Sequence, residues 1–144
     1  MLPYLDTSVV VSLLWSDSHT ARAEAFMAKQ GAQQGPAPIV SDHAGAEFAA
    51  TVGRLVRVSA MTKPEATGLF SLFDAWVAGE VQWTLATAAD LAQATAWMRR
   101  LDLTLRAPDA IHVALAHRLG ATLVTFDEGM AIAARRLGVA VAAA

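Results

Sequence analysis

Five short apolar runs recur along the chain, and stretches of helical pattern lie between them. The runs are LPYL at residues 2–5, PIV at 38–40, VQWTL at 81–85, TLVTF at 122–126 and VAV at 139–141. Between them, residues 21–30, 43–58, 64–78, 88–101, 108–119 and 129–137 are rich in Ala, Leu, Arg, Glu and Met at helical spacing. A strand that returns parallel to its predecessor needs a crossover, and a helix is the usual one. Strict alternation therefore predicts an α/β fold: three layers, α/β/α, around a central parallel sheet of about five strands. Turn residues agree. Gly120 and Gly138 follow helical segments, where a left-handed cap favours glycine, and Pro108 suits a first helical turn.

The 144 residues fit one domain, 1–144, since a chain of this size buries roughly two-thirds of its unfolded surface. More than half of the composition is hydrophobic, at 55%. Even so, charged residues interrupt every apolar stretch before the roughly 18 residues a membrane span requires. No Lys or Arg precedes Asp6, which would itself fall inside any apolar leader, so a cleaved secretion signal is not expected and a cytoplasmic location is. The absence of cysteine excludes disulfides, thiolate nucleophiles and cysteine-based zinc sites. A net charge of −2 excludes a large cationic field for holding nucleic acid, so any phosphate binding must be local.

Acidic residues then stand out by position. Asp6 ends the first run, Glu47 lies one turn into the helix after the second, Asp109 opens a helix, and Asp127 ends TLVTF. Each has an ordinary explanation: Asp6 as the cap of a helix beginning near Val9, Asp127 as another cap, Asp109 beside a helix dipole, Glu47 as a solvated position. Taken together they point to the crevice beyond the carboxyl ends of parallel strands, where open α/β sheets bind ligands. Carboxylates gathered there repel one another without a cation, and an all-oxygen set suits Mg²⁺ or Mn²⁺. Hydroxyls recur beside them at Thr7, Ser8, Ser41 and Thr125.

The segments LDTSVVVSLL, SDHAGAEFAATVGRLVR, LRAPDAIHVALAHRLGATLVTFDEGM and AARRLGV, in that order, resemble a PIN domain, and specifically the VapC-type toxin of a VapBC toxin–antitoxin pair. The resemblance spans residues 2–139. It implies a PIN-like fold, with Asp6, Glu47, Asp109 and Asp127 at the four acidic metal positions and Thr7 or Ser8 and Thr125 as supporting hydroxyls. It also implies Mg²⁺- or Mn²⁺-dependent cleavage of RNA to 5′-phosphate and 3′-hydroxyl ends, a cognate antitoxin protein as inhibitor, and a homodimer. In this reading Asp6 and Asp109 are direct ligands, while Glu47 and Asp127 ligate, hold water or orient the attacking water. Residues 30–38 and 64–78 match no motif. RNA affinity near the acids would require Arg54, Arg57, Arg99, Arg100 and Arg106 to converge on them; the alternative is a solvated face.

Other readings carry less. The pairs His43/Glu47 and Asp109/His112 could share helix faces as a mixed zinc site, but no H-E-x-x-H pattern exists and His112 within AIHVALA reads as a packed residue. No G-x-S-x-G, P-loop or G-x-G-x-x-G sequence occurs. The rival from another class is a flavodoxin-like signalling or binding module without nuclease activity, such as a phosphate-accepting receiver. That module needs paired acids after its first strand and a late lysine, whereas Asp6 is single and the lysines are Lys29 and Lys63. Finally, Leu69, Phe70, Leu72, Phe73, Trp76 and Val77 form an apolar band wider than one buried stripe, and its outer part is a candidate groove for an antitoxin segment or second protomer.

Overall fold

The computed structural model describes residues 1–143; Ala144, the last residue of the expected domain, lies outside the described residues. In chain order the elements are β1 (Pro3–Leu5), α1 (Thr7–Leu14), α2 (Thr20–Ala32), β2 (Ile39–Ser41), α3 (Asp42–Arg57), α4 (Lys63–Glu80), β3 (Gln82–Thr84), α5 (Ala88–Met98), α6 (Ala107–Arg118), β4 (Thr122–Thr125), α7 (Glu128–Arg136) and β5 (Val141–Ala143). All four strand pairings are parallel, in the order β3-β2-β1-β4-β5. The chain thus builds outward from β1 to one edge, then returns to the other side of β1 with β4. The reversal between β1 and β4 splays the connecting helices to opposite faces and opens a crevice at the strands' carboxyl ends.

Alternation along the strands supplies the two cores. Tyr4, Ile39 and Leu123 face a layer containing Ala94, Trp97, Val113, Leu115 and Met130, from α5, α6 and α7. Their neighbours Leu5, Val40 and Val124 face Val9, Val10, Ala23, Phe48, Val52 and Leu69, from α1 to α4. The side-chain period of two in a strand is what permits one three-residue strand to serve both layers. The expected three-layer fold with five parallel strands is present.

Local signals explain most element ends. Thr62 with Glu65, and Thr87 with Asp90, form reciprocal capping boxes at the starts of α4 and α5. Gly120 and Gly138 have φ of +60° and +78°. At the second, Val139 N–H reaches Ala134 O at 3.0 Å and Gly138 N–H reaches Arg135 O at 3.1 Å, a Schellman closure of α7. That closure engages Val139, so β5 begins two residues beyond the expected 139–141. The helix expected to begin near Val9 starts at Thr7. No described helix is long and apolar enough to cross a membrane.

Candidate metal centre

Asp6, Glu47, Asp109 and Asp127, separated by up to 121 positions in sequence, line one cavity of about 150 Å³ together with Thr7, Ser8, His112 and Met130. Four elements deliver them. Asp6 follows β1, Glu47 projects from the second turn of α3, Asp109 lies in the first turn of α6, and Asp127 follows β4. A larger cavity of about 420 Å³ beside α2, lined by residues such as Arg22, Phe26 and Lys29, has no carboxylate in its wall. Donor chemistry and not size selects the site.

Asp6 is 2% exposed. Its Oδ1 accepts from Ser8 Oγ at 2.6 Å and from the Val9 N–H at 3.1 Å, and its Oδ2 accepts from Thr125 Oγ1 at 2.5 Å. It is therefore both the N-cap of α1 and a wall of the acidic cavity, so the two explanations that the sequence offers for it are not alternatives. Burial pushes its carboxyl above the ordinary carboxylate value, and the hydroxyls of Ser8 and Thr125 only partly offset this. Asp109 is raised as well, first by burial; Arg106 Nε, donating to Oδ2 at 3.3 Å, works against that and the nearby Asp127 adds to it. Asp127 caps α7, its Oδ1 accepting from the Met130 N–H at 2.8 Å. Its own N–H donates to Thr125 Oγ1, so that one hydroxyl joins the ends of β1 and β4.

Glu47 differs. Burial works to raise it, yet hydrogen bonds from His112 and Thr7 outweigh that and hold the carboxyl down at about 2. Thr7 Oγ1 donates to Glu47 Oε1 at 2.7 Å, and His112 Nε2 lies 2.5 Å from the same oxygen. All three expected supporting hydroxyls thus donate to site carboxylates, Thr7 to Glu47 and Ser8 and Thr125 to Asp6.

His112 is packed in the core, as its apolar neighbours suggest, but it is not merely packed. Both ring nitrogens are engaged, and His43, Glu47 and His112 place one potential donor atom each within 4.8 Å of one another. The cross pairing of α3 with α6 was invisible in sequence; only the i,i+3 spacing of Asp109 and His112 hinted at a shared face. Of the five arginines considered for RNA, Arg106 reaches the site through Asp109, whereas Arg100 is paired with Asp102 at 2.8 Å. On α4, Phe73 is less available than its place in the apolar band suggested, because it stacks on Phe48 with ring centroids 4.8 Å apart. Phe70 and Leu72 are the outward members, 37% and 51% exposed.

The donor set fits a hard divalent cation. Four carboxylates line the cavity, and Arg106 meets one of them, Asp109.

No curated protein sequence matches the chain. Among solved structures, VapBC2 from Rickettsia felis bound to a promoter DNA fragment superposes with a TM-score of 0.74 at 16% identity, covering 100% of this chain and 99% of that one. Mycobacterium tuberculosis VapC20, a sarcin–ricin-loop-cleaving toxin, gives 0.68 at 22% identity, with 91% and 94% covered. FitAcB from Neisseria gonorrhoeae gives 0.70 at 22% identity, with 97% and 96% covered. At these identities the likeness is one of fold. The sequence profile of the PIN domain matches residues 4–136, a span that holds all four acids, and the chain belongs to the PIN-domain family.

Proposed function

We propose that this chain is a divalent-metal-dependent endoribonuclease, the toxin of a type II toxin–antitoxin pair. The observation that carries the reading is the meeting of four carboxylates from four elements in one small cavity, with burial raising Asp6 and Asp109. Asp6 and Asp109 would hold Mg²⁺ or Mn²⁺ directly, with Asp127 and Glu47 completing the set. Such an ion supplies Lewis acidity toward the phosphodiester and lowers the pKa of a water at the site.

The protein's own groups do the rest. Ser8 and Thr125 fix both oxygens of Asp6 in one orientation. Asp127 spends Oδ1 on its helix cap, and Glu47 spends Oε1 on Thr7 and His112, so each keeps a second oxygen without a protein donor among the described residues. In this reading those two oxygens would ligate the ion or orient the attacking water. Hydrolysis then consumes one water per bond cut, leaving a 5′-phosphate and a 3′-hydroxyl. Arg106, 80% exposed at its side chain and tethered to Asp109, is the cation available to meet the incoming backbone.

Cleavage of RNA by the purified chain, free of antitoxin, should require Mg²⁺ or Mn²⁺ and stop on chelation, with 5′-phosphate ends at the cuts. Full activity in chelator would overturn the reading. The sarcin–ricin loop, cut by VapC20, is the first RNA to try. The cognate antitoxin, and a second protomer, would cover the outer face of α4, where Phe70 and Leu72 are exposed. Leu72→Ser should weaken antitoxin inhibition while leaving cleavage intact; undiminished inhibition would remove α4 from that interface.

A further inference from the structure

We propose that His112 is a positioning residue for Glu47, held in register by Tyr4 and Ser41, and that this buried relay sets the affinity of the acidic centre for its ion. The inference rests on the nuclease reading above.

The geometry runs without a gap. His112 is 1% exposed and Tyr4 is fully buried. From α6, His112 Nε2 lies 2.5 Å from Glu47 Oε1, and Nδ1 lies 2.8 Å from Tyr4 Oη in β1. Tyr4 Oη is in turn 2.8 Å from Ser41 Oγ, and Ser41 Oγ accepts from the Ala44 N–H at 3.1 Å as the cap of α3. One placement of the protons satisfies every group in this chain. A backbone N–H can only donate, and an ionised Glu47 can only accept. Nε2 therefore carries the proton shared with Glu47. With Nδ1 as acceptor, Tyr4 donates to it and Ser41 donates to Tyr4, so every hydroxyl and both ring nitrogens are satisfied. Among the described residues no buried side-chain polar atom is left without a partner.

This arrangement bears on function because of where it begins and ends. Ser41 and Glu47 sit on the same unit, the β2–α3 turn, and the relay leaves that unit through β1 and returns to it through α6. Glu47 is thereby braced against the two elements that carry Asp6 and Asp109. His43 closes the outer side: its Nε2 lies 3.0 Å from the Pro108 carbonyl, next to Asp109, and 3.4 Å from Glu47 Oε1, with its ring packed on His112 at 4.6 Å. Glu is a long side chain whose ordering costs conformational entropy. Paying that cost at folding leaves less to lose when the ion binds. Partners that orient a ligand in this way commonly control affinity by 10- to 100-fold.

The test is Mn²⁺ binding measured by calorimetry or electron paramagnetic resonance without RNA, with metal-free melting as the control for folding. His112→Phe keeps the ring and removes both nitrogens, and should weaken Mn²⁺ at least tenfold. His112→Gln, which restores a donor toward Glu47, should recover part of that loss. Tyr4→Phe removes one hydroxyl and should weaken binding severalfold; it carries the test alone if His112→Phe fails to fold. Wild-type Mn²⁺ affinity in a folded His112→Phe or, failing that, in Tyr4→Phe would overturn the positioning role and leave the nuclease reading standing. A wild-type protein that binds no Mn²⁺ would overturn the nuclease reading itself, and this inference with it.

Discussion

Asp6 and Asp90 are both buried carboxylates at helix starts, 2% and 1% exposed, yet they are kept in opposite ways. Asp90 closes the capping box of α5 with Thr87 and receives a fork from Arg118, Nε to Oδ1 at 2.7 Å and Nη2 to Oδ2 at 2.9 Å. Burial works to raise it, but the guanidinium and the Thr87 donors hold it below the ordinary carboxylate value. Asp6 has a comparable number of donors, all of them neutral, and burial leaves it raised. The fold supplies a cation to one acid and withholds it from the other. An acid gripped through both oxygens by its own arginine is finished as a structural element, while one held by neutral donors alone is complete only when positive charge arrives from outside.

The sharpest way to break this comparison is to neutralise each acid in turn. Asparagine caps a helix about as well as aspartate, so Asp6→Asn leaves α1 intact. It should nonetheless reduce Mg²⁺-dependent RNA cleavage by orders of magnitude and raise the melting temperature of the metal-free protein. Asp90→Asn should do the reverse: cleavage within about twofold of wild type, and stability lower by roughly 1.5–3 kcal/mol, the range for hydrogen bonds to charged groups. Equal cleavage by Asp6→Asn and wild type would return Asp6 to a capping role only.

Metal-induced stabilisation comes next in size. An ion that binds only the folded state adds about 2.7 kcal/mol at 100 times its dissociation constant. Melts with and without Mn²⁺ should show that gain in wild type and Asp90→Asn, and a much smaller one in Asp6→Asn.

The smallest effect is in pH. Asp6 and Asp109 are raised above 3.8 in the folded state, so in chelator the folded protein holds more protons than the unfolded one just above that pH. Their contribution is fully present below 3.8 and is lost as pH rises through the folded values. Asp90 has the opposite sign, contributing above 3.8 and losing that contribution as pH falls. Glu47 behaves like Asp90, its contribution lost as pH falls from 4.5 toward about 2. Thermal melts in chelator should therefore show Asp6→Asn removing part of the loss on the rising side, and Asp90→Asn removing part of the loss on the acid side. Identical pH slopes for the two variants would dissolve the distinction between the acids.

Much of this architecture was legible in the residues themselves. Alternating apolar runs and helical spacing specify a parallel sheet because a parallel return needs a crossover, and glycine at residues 120 and 138 marks helix ends because those positions require positive φ. The positions of the acids were legible too, since Asp6, Asp109 and Asp127 sit where a strand or turn gives way to a helix and Glu47 lies one turn further in. Local chemistry governs these features, and local chemistry is what a sequence displays. The loss of Val139 from β5 was harder to read, because a six-residue closure of α7 competed with strand pairing for it.

What tertiary structure alone decided lies between residues far apart in the chain. Asp6 could be read as a cap or as part of a cluster, and only the approach of Thr125, 119 positions away, shows that one carboxylate does both. Phe73 belonged to an outward band by its spacing, but Phe48 takes up its face. His112 looked like core until Tyr4, 108 positions distant, and Glu47, 65 positions distant, were set against its two nitrogens. Periodicity reports which face of an element is apolar. It holds no record of which element that face will meet, and hydrogen-bond direction in a buried network is fixed only when every donor and acceptor has been brought to its partner.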